Sequence, residues 1–133
     1  MTILWRVPPE QLDDTWPLVK DDIEAASGSR FAPSDIKKFL HSGDMQLWVV
    51  GKDNIEAVVL TEVHQFPRMK TVRLIMTVGR DRTRWVHHLR EIEDWARQQG
   101  CAVIEALARP GWEKVLRDYR KTHVMLEKEL GNG

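Results

Sequence analysis

Residues 74–112, LIMTVGRDRTRWVHHLREIEDWARQQGCAVIEALARPGW, constrain the fold of this chain more than any other stretch. The segment opens as a β-rich run and breaks at Gly79. Trp85, Leu89, Ile92 and Ala96 then recur at helical spacing, with Trp95 beside the stripe, which predicts a helix from about Asp81 to Gln99. Glu93 and Arg97 form an i,i+4 pair in the favourable order, and Gly100 is placed to end the helix as its C′ residue. Ala102 to Ala108 reads as the next strand. A strand reached from another strand through one helix is a parallel crossover, right-handed by the usual rule.

The preceding residues supply the rest of a sheet. Ile3 to Val7 is a short apolar run ended by Pro8-Pro9, a brief edge strand. Leu12, Trp16, Val19, Ile23 and Ala26 form a helical stripe that contains Pro17, either a kink or the true first turn. A shorter helix follows Pro33 and stops at Gly43. From Met45 the period changes: Met45 to Val50, Ile55 to Val63 and Thr71 to Val78 are β-rich, with turn residues at 51–54 and 66–68. This is an antiparallel meander. Val58, Val59 and Leu60 are consecutive apolar residues, which implies a sheet covered by helices on both faces. After the crossover, Pro110 opens a predicted last helix with Trp112, Val115, Leu116 and Tyr119 inward. His123 to Leu130 alternates as a last strand, and 131–133 are expected to fray. The whole is expected to be one α/β (α+β) domain over 1–133, in the order β-α-α-β-β-β-α-β-α-β.

Bulk properties exclude several classes. Twenty basic and twenty acidic side chains cancel, so no overall field steers the chain to nucleic acid or an anionic membrane. The single cysteine, Cys101, excludes an intramolecular disulfide and a multi-cysteine metal site, and it is expected to be a buried structural thiol. His87 and His88 diverge on a helix, while His41, His64 and His123 lack ligand spacing, so no metal is expected. The N-terminus lacks the pattern of a signal peptide, and no run approaches the length of a membrane span. The chain is therefore expected to work in the cell interior or in a particle assembled there.

In element order and spacing over nearly its whole length, the chain resembles the GNAT (GCN5-related N-acetyltransferase) superfamily. The likeness is best over residues 74–130, above all EIEDWARQQGCAVIEALARPGWEKVL. More narrowly, GRDRTRW with WARQQGC, ARPGW and VMLEKEL looks like the GNAT-like proteins of bacteriophages and prophages, some of which, in T7-like phages, are assigned to virion morphogenesis. The superfamily usually closes with two strands after its last helix. Only one fits here, so the substrate side is either truncated or completed by another copy.

The resemblance implies a pyrophosphate-binding loop, R/Q-x-x-G-x-G/A, before the long helix, where small residues and helix-terminal N–H groups receive acetyl-CoA. The motif falls on residues 80–85. Arg80 fits, Thr83 replaces the first glycine and Trp85 replaces the small residue. A tryptophan there fills the space the phosphates need, unless the motif's register is shifted by a residue or the ring turns into the core, as its place on the stripe favours. Arg80, Arg82, Thr83 and Arg84 are the candidate cofactor residues, with Arg109 near enough to join them. The alternative is a solvated surface capped by Asp81. For acid–base work the resemblance implies a glutamate on a central strand and a tyrosine after the last helix. The candidates are Glu62, which also reads as a surface carboxylate, and Tyr119, which also reads as core. Two functions are consistent with these residues. The leading expectation is a phage-type GNAT-fold protein with a degenerate loop and no efficient acetyl transfer. It would act by contact with other phage or virion proteins in the bacterial cytoplasm or the virion, with self-association as a further option. The alternative is an acetyl-CoA-dependent N-acetyltransferase with an atypical loop. Nucleic-acid binding through the arginines is the weakest reading.

Overall fold

The computed structural model describes residues 2–131. Its elements are β1 (Ile3–Val7), α1 (Leu12–Ala26), α2 (Pro33–Ser42), β2 (Met45–Gly51), β3 (Ile55–Gln65), β4 (Lys70–Gly79), α3 (Arg82–Trp85), α4 (Leu89–Gln98) and β5 (Val103–Ala106). Short 3-10 turns cover Pro9–Gln11, Val86–His88 and Pro110–Lys114. The five strands form one sheet in sequence order. β1 to β4 are antiparallel, and β5 lies parallel to β4.

Strand alternation divides the apolar side chains between two cores. Leu47 and Val49 of β2, Val58 and Leu60 of β3 and Met76 of β4 face α1 and α2, where they pack with Trp16, Val19, Ile23, Ile36 and Leu40. Trp48, Val59 and Leu74 face the other way, onto Leu89 and Ile92 of α4. Both faces are covered, so the consecutive valines of β3 are all buried, as a two-sided sheet requires. Trp48 meets Trp95 edge to face at 5.2 Å, and its indole N–H donates to Thr61 Oγ1, whose hydroxyl donates to Gln46 Oε1. A polar chain thus crosses the core fully satisfied.

Local signals explain most boundaries. Pro17 sits inside α1 without ending it. The left-handed glycines Gly43 and Gly100 stop α2 and α4. β4 carries one residue more than β3 opposite it: Leu60 pairs with Met76 and Thr61 with Leu74, leaving Ile75 as a bulge.

Five expectations are corrected. The predicted helix over 81–99 is broken into α3, a 3-10 turn and α4. Asp81 stands at the N-cap of α3 with φ 51, but its carboxylate accepts from the Thr83 hydroxyl and makes no capping bond to the helix backbone. Glu93 does not pair with Arg97, which bonds Asp94 at 2.5 Å, while Glu93 accepts from the Tyr119 hydroxyl. The closing α-β pair is not formed. Trp112, Leu116 and Tyr119 are linked by successive turns, with Leu116 N–H to Trp112 O and Tyr119 N–H to Leu116 O. Those turns already seat the three side chains against α4, so a continuous helix gains nothing further there. Residues 123–130 have strand-like alternation but no strand partner among the described residues. Instead the Arg30 guanidinium, in the α1–α2 loop, donates to Glu127 at 2.7 Å. The strand expected over Ala102 to Ala108 shortens to Val103–Ala106. Of the end expected to fray, residues 132–133 lie outside the described residues.

Candidate functional site

β4 and β5 pair only from Thr71/Val103 to Leu74/Ala106, followed by one further bond from Leu107 N–H to Leu74 O. Beyond the Ile75 bulge, β4 continues to Gly79 without β5 beside it. Alternate residues of a strand direct their N–H and C=O to the same side, so this stretch offers an open hydrogen-bonding edge. Its five residues, Ile75 to Gly79, span roughly 16 Å at strand rise. The candidate loop is at one end of the edge and a row of charged side chains lies just past the other.

At the loop end, Arg80, Asp81, Arg82, Thr83 and Arg84 are all exposed, whereas Trp85 is only 1% exposed. Its ring enters the core against Val50 and Ala57. Gly79 makes this possible: a Cβ there would stand 2.9 Å from the Trp85 indole nitrogen and 2.8 Å from Ala57 Cβ. The indole N–H donates to Arg80 O at 3.0 Å, and the Arg80 N–H reaches Glu56 O. The ring therefore holds the loop from beneath and does not project from its outer surface. The condition set by the sequence, that the ring turn inward, is met.

The arginines are not equivalent. Arg84 forms a 2.8 Å ion pair with Glu56, whose other carboxylate oxygen is buried without a partner among the described residues. Arg82 stacks its guanidinium 4.8 Å from the centre of the Trp112 ring, which in turn lies 6.0 Å from Trp85. Arg80 has no ion pair among the described residues and is the cation most available to an anion. Thr83 is occupied in donating to Asp81. Arg109 is exposed and immediately precedes the Pro110–Lys114 turn.

At the other end of the open edge, register places Glu62, Arg73 and Glu105 directly opposite one another on β3, β4 and β5. Glu62 also lies opposite Met45, which belongs to the core under α1 and α2, so the row is on that face of the sheet. Glu105 Oε1 accepts from the Thr71 hydroxyl at 2.9 Å and meets Arg73 at 3.5 Å. The Glu62 carboxylate contacts His64 Nε2, which abuts it without hydrogen-bond geometry, and the His64 ring stacks on Phe66. Arg73 Nε is buried and lacks a partner among the described residues. Glu62 is thus a half-buried member of a cluster, not an isolated surface carboxylate. Tyr119 is not part of it. It packs on the α4 face and donates to Glu93 at 3.0 Å; burial first, then the Glu93 carboxylate, push its pKa well above the ordinary phenol value. A phenol bound in this way, on the opposite face of the sheet, is core, and it cannot deliver a proton to the row.

Neither Glu105 nor Arg73 was singled out in the sequence, and His64 only as a histidine without ligand spacing. One signal for Glu105 was present: it is a carboxylate inside the apolar run AVIEAL, and only the β4–β5 register shows that it faces Arg73. Cys101 is partly exposed, in contrast to the expected buried thiol; burial still raises its pKa, with Lys70 opposing. No group of three or more His, Cys, Asp or Glu among the described residues has a metal-holding arrangement. His87 and His88 lie ring to ring at 4.2 Å, closer than their expected divergence. His88 is buried between Thr2 and Glu91. No described helix is long and apolar enough to cross a membrane. A cavity of about 260 Å³ lined by Arg6, Leu12, Met45, Trp95 and Gln99 lies away from the loop, near the start of β2.

No family model matches the chain, and no curated protein does. Solved structures do. A ribosomal-protein-alanine N-acetyltransferase from Brucella melitensis biovar Abortus 2308 superposes with a TM-score of 0.70 over 100% of both chains, at 11% identity. An aminoglycoside acetyltransferase from an uncultured soil metagenomic sample, in complex with sisomicin, gives 0.71 at 12% identity, covering 97% of this chain and 96% of that one. A predicted acetyltransferase with acetyl-CoA from Clostridium acetobutylicum gives 0.67 at 14% identity, over 98% and 97%. At such identities the likeness concerns the fold, and the chain has the GNAT fold shared by these acetyltransferases.

Proposed function

We propose that this protein is an acetyl-CoA-dependent N-acetyltransferase. The observation that carries the reading is the open edge of β4 from Ile75 to Gly79, with exposed cations at one end and the Glu62–Arg73–Glu105 row near the other. Acetyl-CoA would supply an acyl thioester. Arg80 and the loop amides would hold its anionic end, and the β4 backbone would bond an extended, amide-bearing arm as a neighbouring strand does. Arg73 Nε, buried without a partner among the described residues, gives the row a donor that a bound ligand would satisfy.

In this reading Glu105 would take the proton from the acceptor ammonium, freeing the nitrogen lone pair to form a bond to the acyl carbon of the thioester; the C–S bond would break, and the coenzyme would leave as a thiol after taking up the second proton given up by the nitrogen. Thr71 and Arg73 are positioning residues that fix its carboxylate. Holding amine and thioester together supplies most of the remaining acceleration. The acceptor class is a primary amine; a ribosomal-protein alanine and an aminoglycoside, the acceptors for which two neighbours are named, are the first candidates. Calorimetric titration with acetyl-CoA tests the reading, followed by turnover on an amine panel. Binding in the micromolar range that Arg80→Ala weakens at least tenfold is expected, with Glu105→Gln lowering kcat and leaving binding intact. Absence of binding at millimolar acetyl-CoA would overturn it.

A second reading keeps the fold and drops the chemistry: a contact protein in phage virion assembly, working in an infected bacterial cell. Two observations favour it, the engagement of Arg82 and Arg84 by Trp112 and Glu56 and the apolar exposure of residues 124–130. The same titration separates the readings.

A further inference from the structure

We infer that the cavity where β1 leaves the sheet is a binding site for a small organic monocarboxylate with an apolar body. Pro8 and Pro9 follow β1, whose last pair is Val7 with Leu47. A proline has no N–H to give to a ladder, so β1 cannot follow β2 any further. Met45 and Gln46, the first residues of β2, are therefore left without a strand partner on that side. The chain turns instead through Pro9–Gln11 into α1, and α2 ends nearby at Gly43, left-handed at φ 86. Between these ends lies the cavity of about 260 Å³. At roughly 30 Å³ per water it has room for about nine waters, just below the roughly 300–1,000 Å³ of sites for drug-sized ligands.

The lining divides by chemistry. Its floor is apolar: Leu12, Leu40 and Met45 are all buried, and the half-buried Trp95 ring forms one side. Its mouth is cationic. Arg6 is exposed and has no ion pair among the described residues; its guanidinium lies 6.0 Å from the centre of the Trp95 ring, the outer limit of a cation–π contact. A second cation is adjacent, because Lys70 Nζ donates to the backbone oxygen of Gln99, another lining residue, at 2.9 Å. Among the described residues no acidic side chain lines the cavity. A planar carboxylate matches the fork of Arg6 and can accept two parallel N–H bonds from it. An apolar body then covers a floor on which water finds few partners. The same lining disfavours other ligands. A cation would meet Arg6, an amino acid would bring an ammonium with no carboxylate to receive it, and inorganic phosphate would leave the floor uncovered. The site is also distinct from the charged row. Arg6 pairs with Trp48 and so stands on the α4 face, whereas Glu62 and Arg73 are on the face of α1 and α2.

Calorimetric titration of the full chain with phenylacetate, without acetyl-CoA, is the test. Saturable binding with a submillimolar dissociation constant is expected, an affinity within reach of a ligand of this size. Phenylacetamide keeps the shape and loses the charge, and it should bind at least about tenfold more weakly, as should phenethylamine and L-phenylalanine. Arg6→Met should weaken phenylacetate at least about tenfold with unchanged circular dichroism, since the side chain is exposed. Arg6→Lys should fall between the two, because it keeps the charge and loses the fork. The indole N–H resonance of Trp95, assigned with Trp95→Phe, should move as phenylacetate is added, which locates the ligand in this cavity. No saturable binding up to about 10 mM, equal affinity for the amide or for inorganic phosphate, unchanged affinity in Arg6→Met, or an unmoved Trp95 resonance would overturn the inference.

Discussion

Replacing Trp85 by alanine tests the link between the core and the loop. The side chain is 1% exposed, packs on Val50 and Ala57, and donates its indole N–H to Arg80 O. Removing a buried tryptophan to alanine costs about 3–5 kcal/mol through lost burial and the cavity left behind. The Arg80 carbonyl adds little, because the loop is exposed and water can replace the indole. Against a total stability of roughly 5–15 kcal/mol for a domain of this kind, the variant would be marginal. At about 3–4 °C per kcal/mol for a chain of this length, the melting temperature should fall by about 10–20 °C. Urea unfolding followed by circular dichroism provides the value, and the denaturant slope should stay unchanged. Trp85→Phe separates the contributions. It keeps most of the ring and loses the hydrogen bond, so it should cost about 1–2 kcal/mol. A loss below about 1 kcal/mol for Trp85→Ala would refute the placement of the ring, because an indole projecting over the loop can be removed at that cost.

Other perturbations have equally definite outcomes. Gly79→Ala drives a Cβ against Ala57 and the Trp85 indole, and should destabilise by about 1–3 kcal/mol in the same urea assay. Thr61→Val leaves the buried Trp48 indole N–H without its acceptor and should cost about 1–3 kcal/mol. Tyr119 has a pKa raised by folding, so below pH about 10 its contribution is complete; above that the unfolded chain loses the phenolic proton first and stability falls with rising pH. Melting temperatures between pH 9 and 11.5 should therefore drop more steeply for the wild type than for Tyr119→Phe, and parallel curves would contradict the Glu93 contact.

The elements that could be read from the sequence are those with a period and a stop signal of their own. Trp85–Leu89–Ile92–Ala96, closed by Gly100, identified the α4 face, and the three β-rich runs from Met45 to Val78 gave the meander. The last α-β pair could not be read in the same way. Trp112, Leu116 and Tyr119 are spaced for a helix, yet consecutive turns seat them equally well. The alternation of 123–130 shows what the segment can pair with, while its location depends on which edge is free. The candidate site divides similarly. The arginine loop was visible as a local cluster, but the roles of its members depend on Glu56 and Trp112, which are distant in sequence. Glu62 was visible, but its neighbours Arg73 and Glu105 come from two other strands and were set by register.

The single extra residue at Ile75 has a consequence for how β4 can change. Below it, odd-numbered positions such as Thr71 and Arg73 look toward α1; above it, even-numbered positions such as Met76 and Val78 do. Ile75 thus acts as a phase shift that lets one strand present a polar half and an apolar half to the same side. Removing it would restore a uniform alternation and exchange the two faces on one half of the strand. Either the charged row would be turned toward α4, or Met76 and Val78 would be withdrawn from the core. Point substitutions along β4 are therefore local events, whereas a one-residue deletion or insertion there is a global one.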